Sequence, residues 1–323
     1  MQRMTIGSLF TGLGGLDQAA ESVFGATTSW QVEIDSYCTS VLERRFPNAT
    51  RYQDVREFDP TQAPRTTIIC SGSPCQDLSI AGGLAGLHGK KSSLFFEKMR
   101  IVEAHRPEWV FFENVPGLLT HRTEIDQLFE SLGYGIAWQK LNAFDAGYPH
   151  RRARIFALAK RDASGSALLT KPTNQLDLFR RSAWRASEKV WPTPTATFFD
   201  QRPQVYYARH DRQKEKGYHC GKPLNVALFE VAQADPQLKV NADWVDCLMG
   251  YPPGWSDPNS ELGEHCVPSS PGCAQKTGEP PYMSNAPDGW SKRMKALGNS
   301  VVAPQAELAL RRLKFHFEQG ENE

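Results

Sequence analysis

Apolar positions fall into two alternating rhythms over the first half of this chain. Met4 to Phe10, Ser29 to Glu33, Ile68 to Ser71, Trp109 to Phe112, Gly135 to Leu141 and Arg154 to Ala159 are short runs rich in apolar, β-branched and aromatic side chains, and they predict strands. Leu16 to Phe24, Tyr37 to Phe46, Leu94 to His105 and Ile125 to Leu132 lie between them and carry an apolar stripe at helical spacing. Trp109-Val110-Phe111-Phe112 has no polar face at all, the mark of a strand covered on both sides. Strands alternating with helices predict an α/β fold with a doubly wound, mainly parallel sheet over residues 4–160.

The texture changes after Arg161. Residues 162–242 hold Trp191-Pro192-Thr193-Pro194-Thr195, Gln201-Arg202-Pro203 and a charged run from Arg209 to Lys216, with few periodic stretches. They predict a second, smaller and irregular domain. Residues 256–290 are rich in Pro, Gly and Ser and read as an extended connection. A helix from Pro304 to Phe317 follows.

The 323 residues are enough for a large core and two domains. Hydrophobic content of 40% and charged content of 23% match an ordinary globular protein, and no apolar run approaches the roughly 20 residues of a membrane span. The opening Met1-Gln2-Arg3-Met4-Thr5 leads into a strand without the apolar core of a signal peptide. Seven irregularly spaced cysteines argue against a disulfide scaffold and for a reducing, intracellular compartment. Cys220, Cys247, Cys266, Cys273, His219 and His265 include no Cys-x-x-Cys pair, so no metal is expected. A net charge of +1 neither announces nor excludes a nucleic-acid partner; basic residues cluster at Arg151-Arg152, Arg154, Arg180-Arg181 and Arg209 to Lys216.

Candidate chemistry sits where strands end. Gly12-Leu13-Gly14-Gly15 joins the first strand to the first helix and suits a nucleotide-like ligand. Glu33 follows the next strand, where an acid can hold ribose hydroxyls. Asp17 stands where a dinucleotide fingerprint has its third glycine, which argues for an adenosine-type ligand other than NAD. Asp54-Val55 offers a carboxylate and an apolar wall, or a helix cap. Gly72-Ser73-Pro74-Cys75-Gln76 puts a thiol in a stiff loop after a strand, read either as a nucleophile or as a buried structural thiol. Glu113 ends an apolar strand and can donate a proton if burial raises its pKa, or can simply start a helix. Arg152 and Arg154, two apart, are expected on one side of a strand entrance, where they suit a carboxylate, a phosphate or a flipped base, or form a basic sheet edge.

Phe10-Thr11-Gly12-Leu13-Gly14-Gly15, the Pro74-Cys75 loop, Glu113-Asn114-Val115, Arg152-Ala153-Arg154 and Gly298-Asn299-Ser300-Val301 occur in the order of the motifs of DNA cytosine-5 methyltransferases, and the chain resembles that family. The resemblance runs almost unbroken over 5–160 and resumes at 243–255 and 290–305. It implies a class I, Rossmann-like methyltransferase with S-adenosyl-L-methionine as cofactor and S-adenosyl-L-homocysteine as product. It implies a cytoplasmic setting in a prokaryotic cell or a virus-infected host cell. It implies a catalytic and cofactor-binding domain at 1–160, a target-recognition domain at 161–242 and a return segment at 243–323, with 291–323 completing the catalytic domain.

Carried over by motif, Phe10, Gly12, Leu13, Gly14, Gly15, Leu16, Glu33, Ile34, Asp54, Val55, Pro74, Leu94, Asn299, Ser300 and Val301 would bind the cofactor. Cys75, Glu113, Arg152 and Arg154 would be catalytic, with Gln76 and Ser79 near an extruded nucleotide. Arg180, Arg181, Arg209 and Arg212 are expected on DNA phosphates. Two positions depart from the family pattern: His150 stands where Gln is common, and Asp243 or a neighbour replaces an Arg before Leu248-Met249-Gly250-Tyr251-Pro252.

The reading is methyl transfer to C5 of a flipped cytosine in a specific double-stranded DNA sequence, through a covalent Cys75–C6 adduct. The expected protein is a monomer, and a cognate restriction endonuclease is a candidate companion. The alternatives are an RNA cytosine-5 methyltransferase, whose Cys-Phe-Thr signature is missing here, and a catalytically silent DNA-binding relative, against which the intact catalytic set argues.

Overall fold

Eight strands hydrogen-bond into one sheet in the computed structural model of this chain, which describes residues 3–74, 93–169, 190–196, 203–214, 222–233, 238–269, 271, 275 and 277–320. In chain order the elements are β1 (Thr5–Leu9), α1 (Gly15–Phe24), β2 (Thr27–Val32), α2 (Ser36–Arg45), β3 (Thr50–Tyr52), β4 (Ile68–Ser71), α3 (Ser93–His105), β5 (Trp109–Asn114), α4 (Arg122–Ser131), β6 (Tyr134–Leu141), β7 (Arg154–Arg161) and β8 (Ser166–Leu169). They continue as α5 (Pro203–Lys214), α6 (Leu224–Ala232), β9 (Lys239–Val240), α7 (Ala242–Leu248), β10 (Met283–Ser284), α8 (Trp290–Asn299) and α9 (Ala303–Gly320).

The sheet order is β3-β2-β1-β4-β5-β7-β6-β8. The first five strands in that order pair in parallel, and β7 is antiparallel to both β5 and β6. The chain winds outward from β1 to β3, then returns to start β4 on the other side of β1. That reversal opens a crevice beyond the carboxyl ends of β1 and β4, where α/β sheets bind their ligands.

Parity along the strands sorts the core. Ile69, Val110, Phe112, Trp138 and Ala157 point to one face and pack with Phe95, Met99 and Val102 of α3 and Ile125 and Phe129 of α4. Trp109 and Cys70 point to the other: the Trp109 ring meets Phe24 of α1 and Phe317 of α9, and the Cys70 thiol lies 3.9 Å from the Leu16 carbonyl.

The chain folds as two compact units. One comprises 1–142, 153–180 and 303–323, the other 143–152 and 181–302. The cuts differ from the sequence blocks at 160 and 242: the short stretch 143–152 leaves the first unit before β7, and 243–302 packs with the second. Two of the second unit's helices, α5 and α6, have no periodic signature. Only Tyr206 of α5 is buried, while Leu224, Asn225, Val226 and Leu228 of α6 are buried in an almost unbroken run. Tryptophans organise this unit's core. Trp191, Trp244 and Tyr282 meet edge to face, and the indole N–H groups of Trp191, Trp244 and Trp290 donate to Ser269 O, Glu279 Oε1 and Val240 O at 2.7, 2.8 and 2.8 Å.

Lys98 of α3 is fully buried in the first unit, its ammonium nitrogen 3.8 Å from the ring centres of both Phe95 and Phe112. Ring faces attract a cation, but desolvation outweighs them and drives the Lys98 pKa well below the usual lysine range. A lysine whose folded pKa lies below its unfolded value takes up protons on unfolding over the range between the two, so stability rises with pH through that range until the unfolded pKa of about 10.4 is passed. Lys98→Met is expected to raise stability at pH 7 by about 1–3 kcal/mol and to flatten that rise. Urea unfolding of both proteins at pH 7 and pH 9.5 measures both effects.

Candidate active site

The turn after β1 is set by a buried carboxylate. Asp17, in the first turn of α1, accepts from Ser8 Oγ of β1 and Gln31 Nε2 of β2, each at 2.8 Å. Thr11 Oγ1 lies 3.2 Å from Ser8 Oγ, and Thr11 N–H donates to Val32 O at 3.3 Å. Between these anchors the backbone turns through left-handed conformations: Phe10 at φ 54°, Gly12 at 57° and Gly14 at 79°. Phe10 holds such a conformation only because both neighbours are pinned, at a cost of about 1–3 kcal/mol. At Gly14 a side chain would also strike the Phe46 ring, 2.4 Å from its first carbon. A carbon added to Gly12 would meet nothing within 4 Å, so open space lies over that turn.

Glu33 borders the same turn. Its carboxylate accepts from Gly12 N–H at 2.7 Å and Asp35 N–H at 2.8 Å, and burial holds its pKa above the usual carboxylate range against those two bonds. Each oxygen retains acceptor capacity for a hydroxyl. Ile34 follows with 67% of its surface exposed, an uncovered apolar side chain next to the acid. Asp54 and buried Val55 come just after β3; the Asp54 carboxylate pairs with Arg56 Nε at 2.9 Å, which lowers its pKa. Leu13, Gly15 and Leu16 are buried in the start of α1, and Leu94 is half-buried against the core at the start of α3.

A second group lies beside the turn. Gly72 N–H donates to Leu9 O at 3.3 Å, and a carbon added to Gly72 would lie 3.6 Å from the Phe10 carbonyl oxygen. Asn114, at the end of β5, donates through Nδ2 to Ser73 O at 3.2 Å and accepts from Val115 N–H at 2.8 Å. The loop leading to Pro74, which is exposed, is thus tied to both β1 and β5. Glu113 precedes Asn114 and pairs with Arg154 Nε of β7 at 2.7 Å, both side chains being mostly covered. Cys75, Gln76, Ser79, Arg180 and Arg181 lie outside the described residues. Arg209 and Arg212 lie on α5, which exposes Val205, Tyr207 and both arginines.

The first unit therefore brings together the Phe10–Leu16 turn, Glu33, Ile34, Gly72 to Pro74, Glu113 and Arg154 at the carboxyl ends of its parallel strands. It does not pair Arg152 with Arg154. β7 begins at Arg154, so Arg152 lies before the strand and in the second unit, where its guanidinium donates to the carbonyls of Pro194, Gly298 and Ser300. Asn299, Ser300 and Val301 are in that unit as well: Asn299 is exposed, and Ser300 N–H closes α8 on Ala296 O at 2.9 Å. Asp17, which anchors the turn at this site, is the residue sequence reasoning undervalued. Its signal was an acid on a helix face otherwise made of Leu16, Ala19 and Ala20.

The two departures from the family pattern acquire physical roles. His150 is buried, and its Nε2–H donates to Leu248 O at 2.9 Å, a bond a glutamine amide could also make. Asp243 accepts from Gly254 N–H at 3.1 Å and pairs with Arg293 of α8, which also binds Asp246 and, through Nε, Ser256 Oγ at 2.7 Å.

The family model for C-5 cytosine-specific DNA methylase matches residues 4–222. The chain belongs to that family. It is 31% identical over 285 residues to the type II methyltransferase M.NgoBV of Neisseria gonorrhoeae, covering 76% of this chain and 66% of that protein. It is 34% identical over 159 residues to M.HhaI of Haemophilus parahaemolyticus, covering 48% of each. Against the relatives it matches, the aligned part spans from about two fifths to two thirds of their length. The fold resembles the crystal structure of Schizosaccharomyces pombe Dnmt2 methyltransferase, TM-score 0.64 at 15% identity over 98% of this chain and 99% of that one, and that of Entamoeba histolytica EhMeth, TM-score 0.63 at 12% identity over 98% and 99%.

Burial raises the Asp17 pKa from 3.8 to about 6. The folded state then binds a proton that the unfolded state releases, so this carboxyl contributes stability that is complete below pH 3.8 and lost as pH rises through about 6. Asp17→Asn is expected to remove roughly 3 kcal/mol of pH dependence between pH 4 and pH 7. Urea titrations of wild type and variant at intervals across that range give the difference directly.

Proposed function

We propose that this protein transfers a methyl group from S-adenosyl-L-methionine to C5 of a cytosine in a specific double-stranded DNA sequence. The observation that carries the reading is the Glu113–Arg154 ion pair at the carboxyl end of β5, beside an Asn114 side chain that holds the loop leading to Cys75. A carboxyl and a guanidinium fixed near the segment that precedes Cys75 in the chain suit a pyrimidine ring that must be polarised while a thiolate attacks it.

The β1 turn fits the cofactor. Gly12 leaves open space, Glu33 offers two anchored carboxylate oxygens for a ribose, and exposed Ile34 offers an apolar surface for a purine. Phe10, Gly12, Leu13, Gly14, Gly15, Leu16, Glu33, Ile34, Asp54, Val55, Pro74, Leu94, Asn299, Ser300 and Val301 form the assigned cofactor set. When bound, the cofactor supplies an electrophilic methyl group.

Every other role belongs to the chain. The Cys75 thiolate adds to C6 of the base, which makes C5 electron-rich. Glu113 carries a proton for this step: its carboxyl O–H donates to N3 and stabilises the negative charge that the addition develops in the ring, leaving a carboxylate beside Arg154. Arg154 fixes the Glu113 carboxyl in place and presents a guanidinium to the base. Once C5 carries the methyl group, water takes its proton, the freed electron pair restores the C5–C6 double bond, and the Cys75–C6 bond breaks to return the thiolate. The base must leave the helix stack to reach this crevice. Gln76 and Ser79 flank the extruded nucleotide, and residues 161–242 read the target, with Arg180, Arg181, Arg209 and Arg212 on phosphates.

Bisulfite sequencing of DNA and RNA from cells expressing the protein identifies the substrate and its site. Methylation confined to RNA would replace this reading. Cys75→Ser is expected to lower turnover by at least a thousandfold, on the order seen when a nucleophile is lost. It should also abolish the stable adduct with duplex DNA carrying 5-fluorocytosine; denaturing gels show the adduct, and near-normal methylation by the variant would sink the covalent route. Glu33→Ala is expected to weaken binding of S-adenosyl-L-homocysteine by about tenfold to a hundredfold, the worth of a charged hydrogen bond, as measured by calorimetry.

A further inference from the structure

The stretch 149–152 is a junction within the second unit. Its backbone reaches 190–196, since Arg152 N–H donates to Thr193 Oγ1 at 3.1 Å and Trp191 N–H to Pro149 O at 2.6 Å. The Arg152 guanidinium, 4% exposed, donates to Pro194 O at 3.1 Å, Gly298 O at 3.2 Å and Ser300 O at 2.5 Å. A planar fork that meets three carbonyl dipoles is held in one orientation, and those dipoles replace the water its charge has lost.

The carbonyls belong to two segments with different assigned tasks. Pro194 lies within 161–242, the block assigned to target recognition. Gly298 and Ser300 flank Asn299, at the start of the segment assigned to the cofactor. The two segments are also in direct contact: a carbon added to Gly298 would lie 2.2 Å from Ala196 N and 2.3 Å from the Thr195 carbonyl carbon. Only glycine allows this approach, and the obstacle is backbone, which has no rotamer to change. Next along the chain, Val301 O accepts from Tyr251 O–H at 2.9 Å, so the cofactor-side segment is held from a second direction.

We propose that Arg152 is a positioning residue that couples cofactor binding to target recognition, by locking 193–196 and 298–301 into one rigid piece. This rests on the reading above, in which Asn299 to Val301 serve the cofactor and 161–242 serve DNA. A ligand that orders either segment then orders the other, and the second ligand binds a site already arranged. Contact with the reacting base is left to Arg154.

The test uses the full chain and a duplex bearing the mapped target. Calorimetry gives the affinity for S-adenosyl-L-homocysteine with and without that duplex, for wild type, Arg152→Lys and Gly298→Ala. The duplex is expected to tighten wild-type binding by a factor within about 5 to 150, the usual span of such coupling. Each variant should bring the factor below two and raise KM for both substrates, while the single-turnover rate at saturation falls less than tenfold. Gly298→Ala separates the segments while leaving Arg152 intact, so it carries the test if Arg152→Lys does not fold. A coupling factor near one in wild type overturns the proposal. So does a variant that keeps the wild-type factor, or an Arg152→Lys that loses a hundredfold in single-turnover rate at unchanged coupling. Failure of wild type to bind S-adenosyl-L-homocysteine at all would strike the cofactor reading instead.

Discussion

The first unit depends on a carboxylate that never meets solvent. Asp17 joins a helix to two strands through two hydroxyl and amide donors, and everything that follows β1 takes its shape from that junction. With Ser8 and Gln31 fixed to one acid, the chain between Leu9 and Gly15 has a short span and few ways to cross it. The left-handed Phe10, the open turn at Gly12 and the reach of Glu33 to the Gly12 amide are consequences of that span. The turn is held by hydrogen bonds within the chain itself, and a loop so anchored has little conformational entropy left to lose on binding. Both donors are aimed at the acid and offset part of its desolvation, which still raises its pKa to about 6.

Strands buried on both faces were legible because their composition leaves no other choice. Ile68 to Ser71 and the start of β5 match their sequence reading, and the turns after β1 and β4 follow from glycine and proline. The three-residue β3 and four-residue β8 were not legible, since runs that short carry no period. Nor were the α5 and α6 helices, one nearly all exposed and the other nearly all apolar, so neither shows the contrast on which a stripe depends. The buried Lys98 could not be found from sequence either, because an amphipathic helix is free to place a lysine outward. At the candidate site, Glu33, Glu113 and the glycine turn were readable from their places at strand ends. The paired arginines were misread in geometry: a two-residue period holds only inside a strand, and the strand begins one residue after Ala153.

Polar positions in the second unit tie distant segments of the chain together. His150 delivers an N–H to a carbonyl of the Leu248 segment, which requires only a donor of the right reach. The acid at Asp243 draws its guanidinium from Arg293, fifty positions along the chain, and Asp246 and Ser256 share it. Asp246, the buried acid of this group, fixes the local fold more than it stabilises it, since removing Arg293 alone strands its charge.

The last helix has a bearing on how the molecule is made. Trp109 is covered on one side by Phe24 from α1 and on the other by Phe317 from α9, and α9 begins roughly 290 residues after α1. A ribosome working at about 5–20 residues per second takes on the order of 15 to 60 seconds to cover that distance. In the later part of that interval, once β8 has been made, the nascent sheet has its strands but an incomplete layer over Trp109, and the whole of 181–302 emerges before the layer is closed. Synthesis, and the chaperones that shield bare aromatic surface during it, thus face a chain whose first-made domain is the last to be finished.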